Sequence, residues 1–155
     1  MPDHPEIDVC FDAITLRLSV RDADAYRTCW SVLLRVKHPT GSMSFEADDI
    51  WIDNADFDGF VRQLDELHSG SGQRADLRDV SGRLFEQDPG AYFVLRFELA
   101  KGSVFEPTQD VVACMLMVRE PYTGGGDADL RLRTLFAKDR ISLIARAFES
   151  FPKWW

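Results

Sequence analysis

Nowhere in the 155 residues do 18 apolar side chains run together, so no segment has the length and apolarity of a membrane-spanning helix. Cysteine is scarce. Cys10, Cys29 and Cys114 each sit in an apolar run without CxxC spacing, which predicts small buried thiols in a reducing compartment, neither a disulfide framework nor a zinc ligand set. Base is short as well: 18 Lys and Arg against 26 Asp and Glu leave a net charge of -8. An acidic chain is repelled by nucleic-acid backbone and by anionic membrane, and it attracts a basic partner. The opening MPDHPEIDVCFD has acids where a secretory signal needs base and lacks an apolar h-region, so the expected location is cytoplasmic.

Chemistry-bearing motifs are absent too. His4, His38 and His68 share no i, i+3 or i+4 spacing and none pairs with a cysteine at zinc spacing. There is no DxDxDG calcium loop and no GxSxG elbow. Gly124 to Gly126 lacks the spacing of a phosphate cradle and reads as a loop. Paired-carboxylate chemistry needs something that raises one pKa against another, and no such device is visible. Catalytic, cofactor-binding and metal residues are therefore assigned to none, and the chain is expected not to be an enzyme.

What is present is alternation. Ile7, Val9 and Phe11, then Ile14, Leu16, Leu18 and Val20, give one long strand or two short ones, followed by a turn at Asp22 to Asp24. Trp30, Val32, Leu34 and Val36 form the next strand, which stops at Pro39-Thr40-Gly41 and returns as a hairpin through Met43, Phe45 and Ala47. After Asp53 and Asn54 the period changes. Phe57, Phe60, Val61, Leu64 and Leu67 make an amphipathic stripe, predicting a helix over about 55–68 capped by Asp53 or Asn54 and stopped by Gly70 or Gly72. Gly59 inside it suggests close approach of helix to sheet. Arg74 to Gln87 reads as two weak strands, with a turn at Asp88-Pro89-Gly90. Tyr92 to Leu99, Val111 to Val118 and Leu130 to Phe136 read as further strands, the middle one apolar on both faces and hence interior. A second helix over about 140–151 carries Ile141, Ile144, Ala145 and Phe148, with Asp139 as its cap. The order predicts a single α+β domain over 1–155 with a mainly antiparallel β-sheet of about seven or eight strands and two amphipathic helices. Residues 1–6 are expected to be loose and 121–129 a flexible loop.

The densest acid in the chain lies between the hairpin and the first helix. Glu46, Asp48, Asp49, Asp53, Asp56 and Asp58 fall within 13 residues, and no Lys or Arg occurs between residues 38 and 61. Asp53 and Asp56 suit the start of a helix. Glu46, Asp48 and Asp49, beside Trp51, suit a surface for a cationic partner, because aromatics are enriched in interface cores; equally they suit an edge strand guarded by charge against aggregation. The candidate partner-binding set is Glu46, Asp48, Asp49, Trp51, Asp53, Asp56 and Asp58. Trp154 and Trp155 at the end pack back on the domain or form a docking tail.

The strand pair around Cys29-Trp30, the segment FDGFVRQLDELHSG with its polar, strand-rich continuation, and ISLIARAFESFP as a closing helix together resemble small bacterial immunity proteins of the WapI type, which accompany polymorphic toxins. The likeness spans roughly residues 14 to 152 and rests on apolar spacing. Ala137, Lys138 and Asp139 replace the acidic-polar turn expected before the last helix, and PYTGGGDAD looks like an insertion. The resemblance implies a non-enzymatic cytoplasmic inhibitor that occludes a cognate toxin protein. A nuclease toxin, with its positive cleft, would suit an acidic inhibitor. The alternative is a small-molecule-binding or enzymatic α+β domain, betrayed by a cleft with convergent polar groups.

Overall fold

The computed structural model describes residues 5–11, 13–80, 93–100, 111–120 and 128–155. Among them the fold is α+β, with every strand pair antiparallel. The first alternating stretch is two paired strands, Glu6–Phe11 (β1) and Ile14–Ala23 (β2). β2 extends through the turn expected at Asp22, and the chain reverses at 24–26 instead, where the Asp24 carboxylate accepts the backbone N–H of Tyr26 and of Arg27, both at 2.8 Å. Arg27–His38 (β3) and Gly41–Asp53 (β4) form the predicted hairpin about Pro39 and Thr40. After the helix Asn54–Ser69 (α1) come Arg74–Arg78 (β5), Phe93–Ala100 (β6), Val111–Glu120 (β7) and Ala128–Ala137 (β8), then a single 3-10 turn and the helix Ile141–Glu149 (α2).

The expected single sheet is instead two four-stranded sheets, ordered β1-β2-β3-β4 and β5-β6-β7-β8. The helix between them is the physical reason. Sixteen residues in α1 carry the chain about 24 Å at 1.5 Å per residue, so β5 cannot fold back on β4 as a hairpin. α1 packs along the edge of β5, where the Gln63 side-chain oxygen accepts the Asp76 backbone N–H at 3.0 Å. That contact supplies a partner for an edge-strand donor and blunts the edge. β7 is interior, as its two-sided apolarity predicts.

One core joins both sheets. Phe57 stacks on Trp30 of β3 with ring centroids 5.8 Å apart, and Phe60, one turn on, reaches Phe97 of β6 at 6.2 Å. Phe148 of α2 touches both helix rings, at 5.9 and 5.0 Å. The predicted stripes thus supply the aromatic column between the sheets, each buried ring contributing about 1.5–3 kcal/mol of apolar burial.

Helix ends follow the sequence only in part. Asp53 occupies the N-cap of α1, but neither its side chain nor that of Asn54 caps the helix. The Asp53 carboxylate turns to Arg27, and the buried Asn54 side-chain oxygen accepts the Thr28 hydroxyl at 2.8 Å. Gly70 makes the left-handed stop at φ 85°. Gly72 has another role: a Cβ there would lie 2.9 Å from the Glu66 Cβ, so only glycine lets its N–H reach the Glu66 carbonyl at 2.9 Å. At Gly59 the expected close approach is overturned, because an added Cβ would meet nothing nearer than the tip of Arg62 at 3.9 Å. Asp139 lies within the 3-10 turn, and α2 begins with no side-chain cap.

Pro5 and Glu6, expected to be loose, are held: the Pro5 carbonyl accepts the Val20 N–H, and Glu6 lies in β1. Residues 1–4, the second strand and turn expected within 81–92, and 121–127 lie outside the described residues, whereas Ala128 and Asp129 belong to β8. No helix among the described residues is long and apolar enough to cross a membrane.

Candidate functional site: an acidic sheet face beside Trp51

β4 is an edge strand of the first sheet, and alternation divides its side chains. Ala47, Ile50 and Ile52 are buried in the core; Glu46, Asp48 and Trp51 take the opposite, outer face. The register explains why two acids sit together. Val32 pairs with Ala47 but Trp30 pairs with Ile50, so Asp48 and Asp49 together face Ser31 in a β-bulge. Asp49 has φ 58°, the left-handed region that Asp and Asn enter more readily than most residues.

On the outer face next to these acids Ser19, Cys29 and Ser31 are small and buried. The Cys29 thiol points to Asp49 at 4.0 Å. Burial pushes that thiol up to about 11, and the carboxylates of Asp49, Asp22 and Asp48 add to the shift. Asp22 belongs to the patch, and the sequence reading missed it. Its signal was the register, which sets Asp22 opposite Cys29 across β2 and β3.

The seven predicted partner-binding residues do not form one group. Glu46, Asp48 and Asp49 are exposed and, among the described residues, none makes an ion pair. Trp51 is half-buried beside them. Asp53 is engaged by Arg27, whose Nε donates to Oδ1 at 3.0 Å. Asp58 receives the Lys153 ammonium at 2.8 Å on one oxygen and the Trp155 indole N–H at 3.1 Å on the other. Asp56 is half-buried on α1, has an interaction of its own and lines a cavity described below. The carboxylates of α1 and its N-cap therefore serve the fold, and those of β4 remain available.

No family model, curated protein or solved structure matches the chain.

The last residues pack back on the domain. Trp155 meets Phe57 edge-on at 5.6 Å and Trp154 meets Phe151 at 6.0 Å. Across the sheet, the acids of β1 are also engaged, since Arg17 makes a two-pronged contact with Asp8 and lies 3.5 Å from Glu6. On β3, Arg35 and Lys37 stand opposite Ser44 and Ser42, toward the hairpin end of the same face. Among the described residues no three His, Cys, Asp or Glu are grouped to hold a metal. Cys10 is exposed, contrary to the expectation of a buried thiol. Ile7 and Val9 point into the core, so the next odd-even step turns Cys10 outward, opposite Thr15.

Between α1 and β5 lies a cavity of about 390 Å³ lined by Ala55, Asp56, Gly59, Phe60, Arg62, Gln63, Asp76 and Arg78. Its volume falls in the range of small-molecule sites. In its wall, Asp76 Oδ2 accepts Arg78 Nε at 3.3 Å, Arg78 Nη2 at 3.2 Å and Arg96 Nη2 at 3.2 Å. Asp76 Oδ1 and Arg96 Nε are buried without a hydrogen-bond partner.

Proposed function

We propose that this chain is a non-enzymatic immunity protein that binds a toxin domain with a basic surface and occludes its active site, using the outer face of β4. One observation carries the reading. Glu46, Asp48 and Asp49 stand exposed without an ion pair among the described residues, beside the half-buried indole of Trp51 and above a floor of serine and cysteine. Acids crowded on one strand cost a few tenths of a kcal/mol per close pair, a cost that a cationic partner reverses. An aromatic next to a charged rim is the composition of an interface core. A nuclease toxin suits best, because its substrate cleft must be positive and opposite fields raise association rates by orders of magnitude. Edge protection alone would explain charge on β4 but gives no role to Trp51 or to that floor.

The test needs a toxin domain as partner, and one encoded beside this chain is the first to take. Titration with the parent and with Glu46→Lys/Asp48→Lys/Asp49→Asn compares affinities, asparagine being chosen because it tolerates the backbone at residue 49. A loss of about a hundredfold or more, mostly in the association rate, is expected. Equal affinity of the two proteins removes this face from the interaction.

A further inference from the structure

At the β4 bulge the outer face of the first sheet carries three kinds of group that no other described residue completes. Ser31 lies between Trp30 and Val32, which are in the core, so its side chain faces out toward the Asp48–Asp49 bulge set against it. The residue is only 6% exposed and its hydroxyl makes no hydrogen bond among the described residues, yet Oγ is not sealed off as the orphan nitrogens of Trp30 and Asn54 are. It is open to a donor from outside. Trp51 pairs with Cys29, two residues from Ser31 on the same face, and its half-buried indole has no ring partner or hydrogen bond among the described residues and no place in the core cluster. Asp48 and Asp49 are exposed without an ion pair. The bulge holds Asp49 at φ 58°, with its Oδ1 4.0 Å from the Cys29 thiol. Of the cations in register, Arg27 is taken by Asp53, Arg21 in the β2 bulge pairs with neither acid, and Arg35 and Lys37 stand toward the hairpin end.

We infer that this site grips one arginine side chain of the partner protein, its guanidinium lying on the Trp51 indole and donating to Asp48, Asp49 and the Ser31 hydroxyl. The inference rests on the reading of the β4 face as the partner-binding surface and names the group that the face takes. Arginine fits better than lysine. A guanidinium is planar, stacks on an aromatic face and offers five donors in fixed directions, enough for two carboxylates and a hydroxyl together. An ammonium is a compact, strongly hydrated point charge, which loses more on leaving water for a floor of Cys29 and Ser31. A divalent metal fits worst, because among the described residues no three His, Cys, Asp or Glu are grouped to hold one.

N-acetyl-L-arginine methylamide, titrated into the full isotope-labelled chain at constant ionic strength and followed by NMR, tests this without any toxin. Saturable shifts are expected at the Trp51 indole N–H and at the backbone N–H groups of Ser31 and Asp49, with half-saturation in the millimolar range. The lysine analogue should need at least about five times the concentration. Trp51→Leu and Ser31→Ala should each weaken the arginine probe about threefold or more. Both change side chains of the outer face, and an unchanged melting temperature checks that the fold is kept. No saturable shift at these residues up to ~50 mM overturns the inference. So does a lysine analogue that binds within about fivefold of the arginine probe, or arginine binding unchanged in either variant, since both are the behaviour of a diffuse negative surface. If the probe fails while a toxin domain still binds through Glu46, Asp48 and Asp49, the inference falls and the partner-binding reading stands. A toxin domain indifferent to those three acids removes that reading whatever the probe does.

Discussion

The acids of β4 and those of α1 with its N-cap look alike in sequence, a single run without a cation, yet the fold treats them differently. Asp53 and Asp58 are met by cations 26 and 95 residues away, Arg27 and Lys153. Glu46, Asp48 and Asp49 receive none among the described residues. Local charge density therefore does not identify a binding surface. What sets the β4 acids apart is charge that the other described residues leave without an ion pair.

The helix half can be broken by packing. Phe57→Ala removes the ring that touches Trp30, Phe148, Phe151 and Trp155, and should cost about 3–5 kcal/mol in chemical unfolding. A loss under about 1 kcal/mol would mean that the aromatic column is not the support of the domain. Gly59→Ala acts in the opposite direction. Since a Cβ there has open space, the variant should gain about 1 kcal/mol from helix propensity, read as a higher denaturant midpoint at unchanged slope. A destabilised Gly59→Ala would restore the close-packing role that the geometry denies.

The thiols sharpen the contrast without touching stability. Exposed Cys10 should be alkylated first at mildly alkaline pH, followed by mass spectrometry of the intact chain. Cys29 and Cys114 should lag, because burial holds their thiols protonated, up to about 11 and about 12. Asp48→Lys should speed Cys29 relative to Cys114 by removing one carboxylate from its surroundings. An unchanged ratio would place Asp48 away from Cys29.

Much of this architecture was legible. The period change after Asp53 located α1 to within one residue at each end, and the apolar run of β7 gave its interior place. The two-sheet division was not legible, because strand alternation says which face is buried and nothing about which strand lies beside which. The bulge was hidden as well. A turn at Pro39 sets His38 against Gly41, and carrying that register down an unbroken ladder would place Arg27 opposite Ile52; the extra residue at Asp48 and Asp49 shifts it to Asp53. One inserted residue thus creates the Arg27 pair and spares the acids above it. For the candidate site, Glu46, Asp48, Asp49 and Trp51 were visible in the sequence. Asp22 was separated from them by 24 residues and needed the paired strands to join the group.

The direct test of the central claim compares the melting temperatures of Glu46→Lys/Asp48→Lys and Asp58→Lys with the parent at low ionic strength. Reversing the β4 charges relieves repulsion and should leave the midpoint equal or slightly raised. Asp58→Lys sets a cation against Lys153 and removes the acceptor of the Trp155 N–H, and should lower the midpoint by several degrees. If the β4 double reversal melts as low as Asp58→Lys, those carboxylates already have partners within the chain and are not held for another protein.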